Sequence, residues 1–273
     1  MNFADYRKLW KLARRRTRSE EDYLEFQRFQ AALLIEFLKN RGIELRGRRV
    51  LDVGCGFGGY SLALVEAGGR VTALDLAVPQ RLKGLPSLDF VEGDAASMPF
   101  ADASFDFVLC ASLIEHVPQP EELVAEIRRV LDGGGLCYLS FPPFYSPLGG
   151  HQFSPFHLLG EGLALRIFRW RASRMGGEVR PRAYPTSYAD SYRNCGLYPL
   201  TIGRVRGMVE RAGLELVELS HQALAPELRQ APRSQRVPDL ARSVYPEEGL
   251  SVECEVSDFA PRRRSRRIPR RRT

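Results

Sequence analysis

Short apolar runs alternate with segments of helical periodicity through the middle of the chain. Runs of β-branched and large apolar residues predict strands, and apolar residues that recur every three or four positions predict helices. The predicted strands of this region lie at 49–53, 70–75, 88–92, 105–110 and 135–141, and the helices at 59–67 and 120–131. Strands that alternate with helices indicate an α/β fold with a doubly wound, mostly parallel sheet.

Further elements are predicted on both sides of this core. Ser19-Glu20-Glu21-Asp22 has the pattern of a capping box, and apolar residues at helical spacing follow up to Leu38. We expect this N-terminal helix to pack beside the sheet. The helix and the two strands predicted after residue 200 lie at 201–213, 214–219 and 250–256. They bring the sheet to seven strands, although segment 222–249 is long for a hairpin connection.

Residues 142–200 do not continue the alternation and are rich in Pro, Gly and aromatic residues. We interpret them as an inserted lid. Within it, Phe156–Trp170 mixes leucines with arginines, which suits a helix over the site or one in peripheral contact with a membrane. The predicted organisation is a helical segment at 1–44, a core at 45–141, the lid at 142–200, the rest of the core at 201–259 and an arginine-rich tail at 260–273.

The net charge of +7 is concentrated in one place. Eight of the 40 basic residues are arginines between 262 and 272, so the rest of the chain is nearly neutral. Such a tail could bind RNA or anionic lipid, but its composition is typical of a disordered, solvated end, and nucleic acid is disfavoured as a partner. The five cysteines are odd in number and widely spaced, which favours a reducing cytoplasm over a disulfide framework. The sequence contains no run of about 18 apolar residues, so it predicts no membrane span.

The segment from Val50 to Gly59, VLDVGCGFGG, predicts a strand, a tight turn and the start of a helix. Glycines allow positive φ and let a ligand approach bare backbone. Their spacing also fits the G-x-G-x-x-G turn of dinucleotide enzymes, which places a pyrophosphate at a helix N-terminus. Asp52 decides between the two, because a carboxylate there would repel a pyrophosphate and attract a cationic ligand.

The turn resembles the first motif of the class I S-adenosylmethionine-dependent methyltransferases, and the resemblance continues in order along the chain. Val71–Asp75 resembles the second strand with its terminal acid, and Phe90–Ala95 the third strand with the loop on the adenine side. Met98–Val108 resembles the P-F-x-D-x-S-F-D run of the methyltransferase type 11 branch. Leu131–Gly135 is similar to the L-x-P-G-G turn before strand five, with a departure at Asp132 and Gly133.

This resemblance implies S-adenosylmethionine as the cofactor, and no metal. It places Asp52 near the methionine ammonium, Asp75 on the ribose hydroxyls and Asp94 on the adenine amine. Asp94 could instead cap its own loop. The full set of expected cofactor-binding residues is Asp52, Gly54, Cys55, Gly56, Gly59, Asp75, Leu76, Asp94 and Ala95.

His116, after strand four, is the candidate base, because relatives of type 11 direct this region at the transferring methyl group. It has the pKa range of a base, yet it could also orient the loop or cap the next helix. Glu115 could pair with it or favour that helix N-terminus. In the lid, Tyr145, His151 and His157 are the candidate substrate contacts; the alternative is that the lid's aromatic residues pack on the sheet edge.

The function expected from these features is methyl transfer from S-adenosylmethionine to a small molecule, at a hydroxyl of a metabolite, sugar or lipid-linked intermediate. Two alternatives stay open. One is an RNA methyltransferase that uses the basic tail, and the other is a protein that binds S-adenosylmethionine without catalysis.

Overall fold

The computed structural model describes residues 3–16, 18–77, 88–146, 149–174, 184–191, 196–221 and 250–255. The helices are α1 (Phe3–Arg15), α2 (Glu20–Lys39), α3 (Gly59–Glu66), α4 (Pro120–Val130), α5 (Glu161–Arg174) and α6 (Ile202–Arg211). The strands are β1 (Arg49–Val53), β2 (Arg70–Asp75), β3 (Leu88–Glu92), β4 (Phe105–Ala111), β5 (Leu131–Phe141), β6 (Glu215–His221) and β7 (Leu250–Glu255). The expectations for segment 222–249 and for the arginine-rich tail lie outside the described residues.

The strands form one seven-stranded sheet in the order β3-β2-β1-β4-β5-β7-β6. The first five strands are parallel, and β7 pairs antiparallel with both β5 and β6. The predicted α/β class and mostly parallel sheet are therefore confirmed. The chain reverses its direction of travel across the sheet between β1 and β4, and ligands of such sheets bind beyond the carboxyl ends of the strands at this switch point.

Helices cover both faces of the sheet, because alternate residues of each buried strand point to opposite sides. Leu51 and Val108 belong to one apolar cluster, which also contains residues of α4 and α6. Val50 and Leu109 belong to the other, which includes residues of α2 and α3. The central strands are apolar on both faces for this reason, so they appear in the sequence as continuous apolar runs.

Strand β5 starts earlier than predicted, at Leu131 rather than at residue 135. Leu131 pairs with Phe105, and the register then shifts before Leu136 pairs with Phe107. The irregularity absorbs the run of three glycines that looked like a turn in the sequence.

The N-terminal region contains two helices rather than the one predicted. Ser19 caps α2 as expected, because its Oγ accepts a hydrogen bond from the Asp22 backbone N at 3.1 Å. Helix α1 was not predicted, because its sequence is rich in charged residues. Among its described side chains, Leu9 and Leu12 are buried and pack with Phe26 of α2.

The lid carries an apolar cluster of its own. Phe144, Phe153, Ala164, Leu165, Tyr188 and Leu197 are its buried residues. Helix α5 contributes two of them and leaves Leu163 and Trp170 exposed on its outer side. The lid therefore holds its shape by internal packing, and this packing sets where its loop at 149–153 meets the core.

Candidate active site

The glycine turn connects β1 to α3 at the switch point of the sheet. Gly54, Gly56 and Gly58 all have positive φ, at 73°, 53° and 82°. The Gly54 backbone N donates to the Leu74 carbonyl at 2.8 Å, and the Gly56 N donates to Asp75 Oδ2 at 2.8 Å. The turn is therefore fixed against the end of β2, and Gly56 stays exposed.

Helix α2 closes one side of this turn. Gln27 Oε1 accepts a hydrogen bond from the Gly59 backbone N at 3.3 Å, at the start of α3. A Cβ on Gly59 would lie only 2.4 Å from the Gln27 Cβ. Gly59 is thus required by the approach of α2, whereas the sequence analysis assigned it to the cofactor side.

Asp52 lies behind the turn, 2% exposed, and its Oδ2 accepts a hydrogen bond from Ser61 Oγ at 2.5 Å. Burial raises the pKa of Asp52 to about 7, the hydrogen bond from Ser61 opposes this, and the nearby charge of Asp75 adds to the rise. A cation bound at the turn would favour the ionised form of Asp52.

The carboxylates at the ends of β2 and β3 are both bound to nearby backbone. Asp75 Oδ1 accepts from the Leu76 N at 2.8 Å, and the Leu76 side chain is 49% exposed beside it. Asp94 Oδ1 accepts from the Ala96 N at 2.9 Å, which is the loop-capping contact of the alternative interpretation. Asp94 is exposed, so its second oxygen remains accessible.

The end of β4 leads into a short 3₁₀ helix, Ile114–His116, that lies against the glycine turn. A Cβ on Gly54 would be 2.8 Å from the Leu113 side chain, so this contact explains why position 54 has no room for a side chain. Glu115 is 2% exposed. Its neighbour His116 is held by a 2.8 Å contact between Nδ1 and the Gly196 carbonyl, which comes from the lid.

The lid also brings His151 to this place. His151 Nε2 lies 3.7 Å from Glu115 Oε1, and His116 Nε2 lies 3.9 Å from the same oxygen. The two imidazole rings meet edge to face with centroids 4.9 Å apart. His151 has a φ of 50°, a left-handed conformation that is uncommon for a residue other than glycine. The lid therefore brings His151, predicted as a substrate contact, to the Glu115 and His116 side chains after β4.

Burial dominates the electrostatics of these three side chains. It raises the pKa of Glu115 to about 8. It lowers the pKa of His116, which the hydrogen bond to Gly196 partly opposes. Burial, with smaller contributions from the charges of His116, Arg16 and His157, lowers the pKa of His151 to about 3. Both imidazoles are therefore neutral near pH 7, and each can accept a proton or donate an electron pair.

Comparison with known proteins supports the family expected from the motifs. A family profile described as "Methyltransferase domain" matches residues 51–139. An uncharacterized methyltransferase of Mycobacteroides abscessus is 34% identical over 164 residues, which are 56% of this chain and 62% of that protein. Residues 51–139 therefore resemble a methyltransferase domain. The chain spans about three fifths of the length of such relatives.

Solved structures agree on the fold of this methyltransferase domain and its surroundings. An S-adenosylmethionine-dependent methyltransferase from Mesorhizobium loti superposes with a TM-score of 0.53 at 18% identity, covering 81% of this chain and 96% of the other. The 1,6-didemethyltoxoflavin-N1-methyltransferase of Burkholderia thailandensis gives a TM-score of 0.51 at 17% identity, covering 94% and 92%. At these identities the likeness concerns the fold alone. Methyl transfer by the class I family needs no metal.

Two of the predicted substrate contacts, Tyr145 and His157, pack against other residues of the lid. His157 is 2% exposed, and its Nε2 contacts the carbonyls of Phe144 and Ser146 at 2.7 and 3.0 Å. It therefore holds the lid loop. Tyr145 is 68% exposed and packs edge to face on Phe144. Only His151 of the three lid candidates reaches the end of β4.

Two residues of α2 that the sequence did not single out, Tyr23 and Gln27, also contact the glycine turn. Tyr23 of α2 lies edge to face with Phe57 of the turn, with ring centroids 5.4 Å apart. Burial raises the pKa of Tyr23, while the charge of Arg16 lowers it and that of Glu115 raises it again. Tyr23 and Gln27 are one helical turn apart, so their shared face of α2 was the available signal.

None of the described helices has the length and apolarity needed to cross a membrane.

Proposed function

We propose that this chain transfers a methyl group from S-adenosylmethionine to a small-molecule acceptor at the carboxyl ends of β1 and β4. The observation that carries the proposal is the contact of Asp75 Oδ2 with the Gly56 N at 2.8 Å. It positions a carboxylate at the mouth of an open glycine turn, beside the exposed Leu76. This arrangement suits a ribose with an adenine ring packed against an apolar side chain.

The remaining cofactor contacts follow from the same turn. Asp52 would stabilise the cationic methionine end through the ionised form of its carboxyl group. Gly54, Cys55 and Gly56 would line the backbone next to it, and the second oxygen of Asp94 would accept from the adenine amine, with Ala95 beside it. Gly59 contributes indirectly, because it lets Gln27 fix the first turn of α3.

On the acceptor side, His116 is the proposed base for a hydroxyl. The Gly196 carbonyl accepts from Nδ1, so Nε2 keeps its lone pair. The acceptor oxygen would attack the methyl carbon in line with the breaking carbon–sulfur bond, S-adenosylhomocysteine would leave, and the hydroxyl proton would pass to Nε2. Alignment supplies about 7–11 kcal/mol in such reactions, and a positioned base adds about 10²- to 10⁴-fold in rate.

The test is a calorimetric titration with S-adenosylhomocysteine of the wild type and of Asp75→Asn. The amide keeps the size of the side chain but removes the charge, and its single oxygen can accept from only one of the two backbone N–H groups that Asp75 now binds, those of Gly56 and Leu76. We expect an affinity on the order of micromolar, weakened by at least about tenfold in the variant, since hydrogen bonds to a charged group contribute about 1.5–3 kcal/mol.

Asp89→Asn is the matched control, because Asp89 is an exposed carboxylate on the neighbouring strand β3. Equal losses in the two variants would place the cofactor elsewhere. Binding of NAD in place of S-adenosylhomocysteine would overturn the proposal and favour the dinucleotide alternative. A positive result would justify an acceptor screen with methyl-labelled S-adenosylmethionine, comparing wild type with His116→Ala.

A further inference from the structure

We infer that Glu115, His116 and His151 together bind a first-row divalent metal ion of the zinc type. One ligand atom from each side chain lies within 4.8 Å of the other two. This site goes beyond the proposed function, because no step of the methyl transfer proposed above uses an ion. While His116 Nε2 binds the ion it cannot accept the hydroxyl proton, so metal binding and general-base catalysis by His116 are alternative states of the site. The ion would join the lid to the core at the end of β4.

The spacing of the ligand atoms is close to that of a mononuclear site. Ligand atoms about 2.0–2.2 Å from a tetrahedral ion lie about 3.3–3.6 Å from one another. Glu115 Oε1 lies 3.9 Å from His116 Nε2 and 3.7 Å from His151 Nε2, so each of these pairs must approach by a few tenths of an ångström when the ion binds. The third pair, within 4.8 Å, needs an approach of up to about 1.3 Å.

The donor set also fits. Two imidazoles and a carboxylate suit zinc and its first-row neighbours and do not suit magnesium or calcium, which prefer oxygen ligands. His116 contacts a backbone carbonyl through Nδ1, the outer contact that orients metal-binding histidines and leaves Nε2 for the ion.

The buried carboxylate is the second, independent observation. Neither oxygen of Glu115 has a hydrogen-bond partner among the described residues, although the side chain is only 2% exposed. A buried polar group without a partner costs about 1–3 kcal/mol, and more when it is charged. A metal ion would satisfy both the charge and the lone pairs of Glu115. Three protein ligands would leave a further position for water, as in zinc sites that are open to ligands.

The experiment uses the full, untagged chain, stripped of metal with chelator and then titrated with zinc alone. We expect one zinc per chain in the wild type, and a change in the visible absorption of cobalt(II) when it replaces zinc. Glu115→Gln keeps the shape of the side chain and removes the charge. His151→Asn removes a ligand while tolerating the left-handed backbone at that position.

Each variant should weaken zinc binding by at least about 10- to 100-fold, the loss that second-shell changes alone produce. Glu121→Gln is the matched control, because Glu121 is a half-exposed carboxylate in the first turn of α4. S-adenosylhomocysteine titrations report separately on the cofactor site and on folding, so either proposal can fail without the other. Absence of stoichiometric zinc in the wild type, or equal zinc binding by Glu115→Gln or His151→Asn, would overturn the inference.

Discussion

The cofactor side and the acceptor side of the site are built in different ways. On the cofactor side, Asp52, Asp75 and Asp94 each accept a hydrogen bond from Ser61, Gly56 and Ala96 respectively, all within 20 residues in sequence. On the acceptor side, Glu115 Oε1 lies 3.7 Å from Nε2 of His151 in the lid. Neither Glu115 oxygen accepts a hydrogen bond from the described residues. One side is organised by local turns, and the other depends on how the lid packs.

The largest expected effect comes from disrupting the apolar cluster of the lid. Phe153 is 1% exposed in the lid cluster, so Phe153→Ala should destabilise the lid by about 3–5 kcal/mol. We expect early proteolytic cleavage within residues 142–200 and little change in S-adenosylhomocysteine affinity. Parallel loss of cofactor affinity would show that the two sides are not separate.

The buried carboxyl of Asp52 gives a pH signature specific to the cofactor side. Its pKa is raised from 3.8 to about 7, so its contribution to stability is full below about pH 4 and is lost as pH rises through 7. Asp52→Asn should remove this part of the pH dependence, about 4 kcal/mol between pH 4 and 8. Urea unfolding of both proteins across that range measures it, and parallel curves would contradict the assignment.

The contact between α2 and the glycine turn can be tested by comparing two glycine-to-alanine substitutions. Gly59→Ala places a Cβ 2.4 Å from that of Gln27, so we expect a loss of about 1–3 kcal/mol in unfolding free energy and weaker S-adenosylhomocysteine binding. Gly203→Ala, near the start of α6, meets nothing within 4 Å and should be neutral or stabilise by up to about 1 kcal/mol. Thermal unfolding of the pair separates crowding from helix propensity.

The smallest effect is expected at the cap of α2. Ser19→Ala removes the hydrogen bond to the Asp22 N and should cost about 1 kcal/mol. Because α2 carries Gln27 to the turn, S-adenosylhomocysteine affinity should fall slightly, while zinc binding should not change. A calorimetric comparison with Thr201→Ala, which removes the equivalent cap of α6, controls for general destabilisation.

Sequence patterns predicted the core well because its central strands are apolar on both faces and are followed by turns that contain glycine. Segment 49–53, for example, matches β1 at both ends. The acids at the carboxyl ends of the strands could be predicted equally well from the sequence, since their positions follow from the strand boundaries. Helix α1 was harder to predict, because the hydrophobic periodicity of its buried leucines is weak among so many charged residues.

The acceptor side could not be predicted to the same extent. Nothing local distinguishes His151, which reaches Glu115, from His157, which lies within the lid and contacts the Phe144 carbonyl. The difference arises from the packing of the lid cluster, which joins residues far apart in sequence. Likewise, the isolation of the Glu115 carboxylate depends on what surrounds it in three dimensions, and the residue type alone carries no sign of it.

The position of β7 between β5 and β6 has a consequence for the order in which the protein assembles during synthesis. Among the described strands, β6 is synthesised before β7 and has β7 as its partner, and the outer edge of β5 also pairs with β7. An unpaired edge of a sheet is a surface on which chains associate. The nascent chain therefore exposes its β5 edge until residues 250–255 arrive, and this interval is when a chaperone would protect it most effectively.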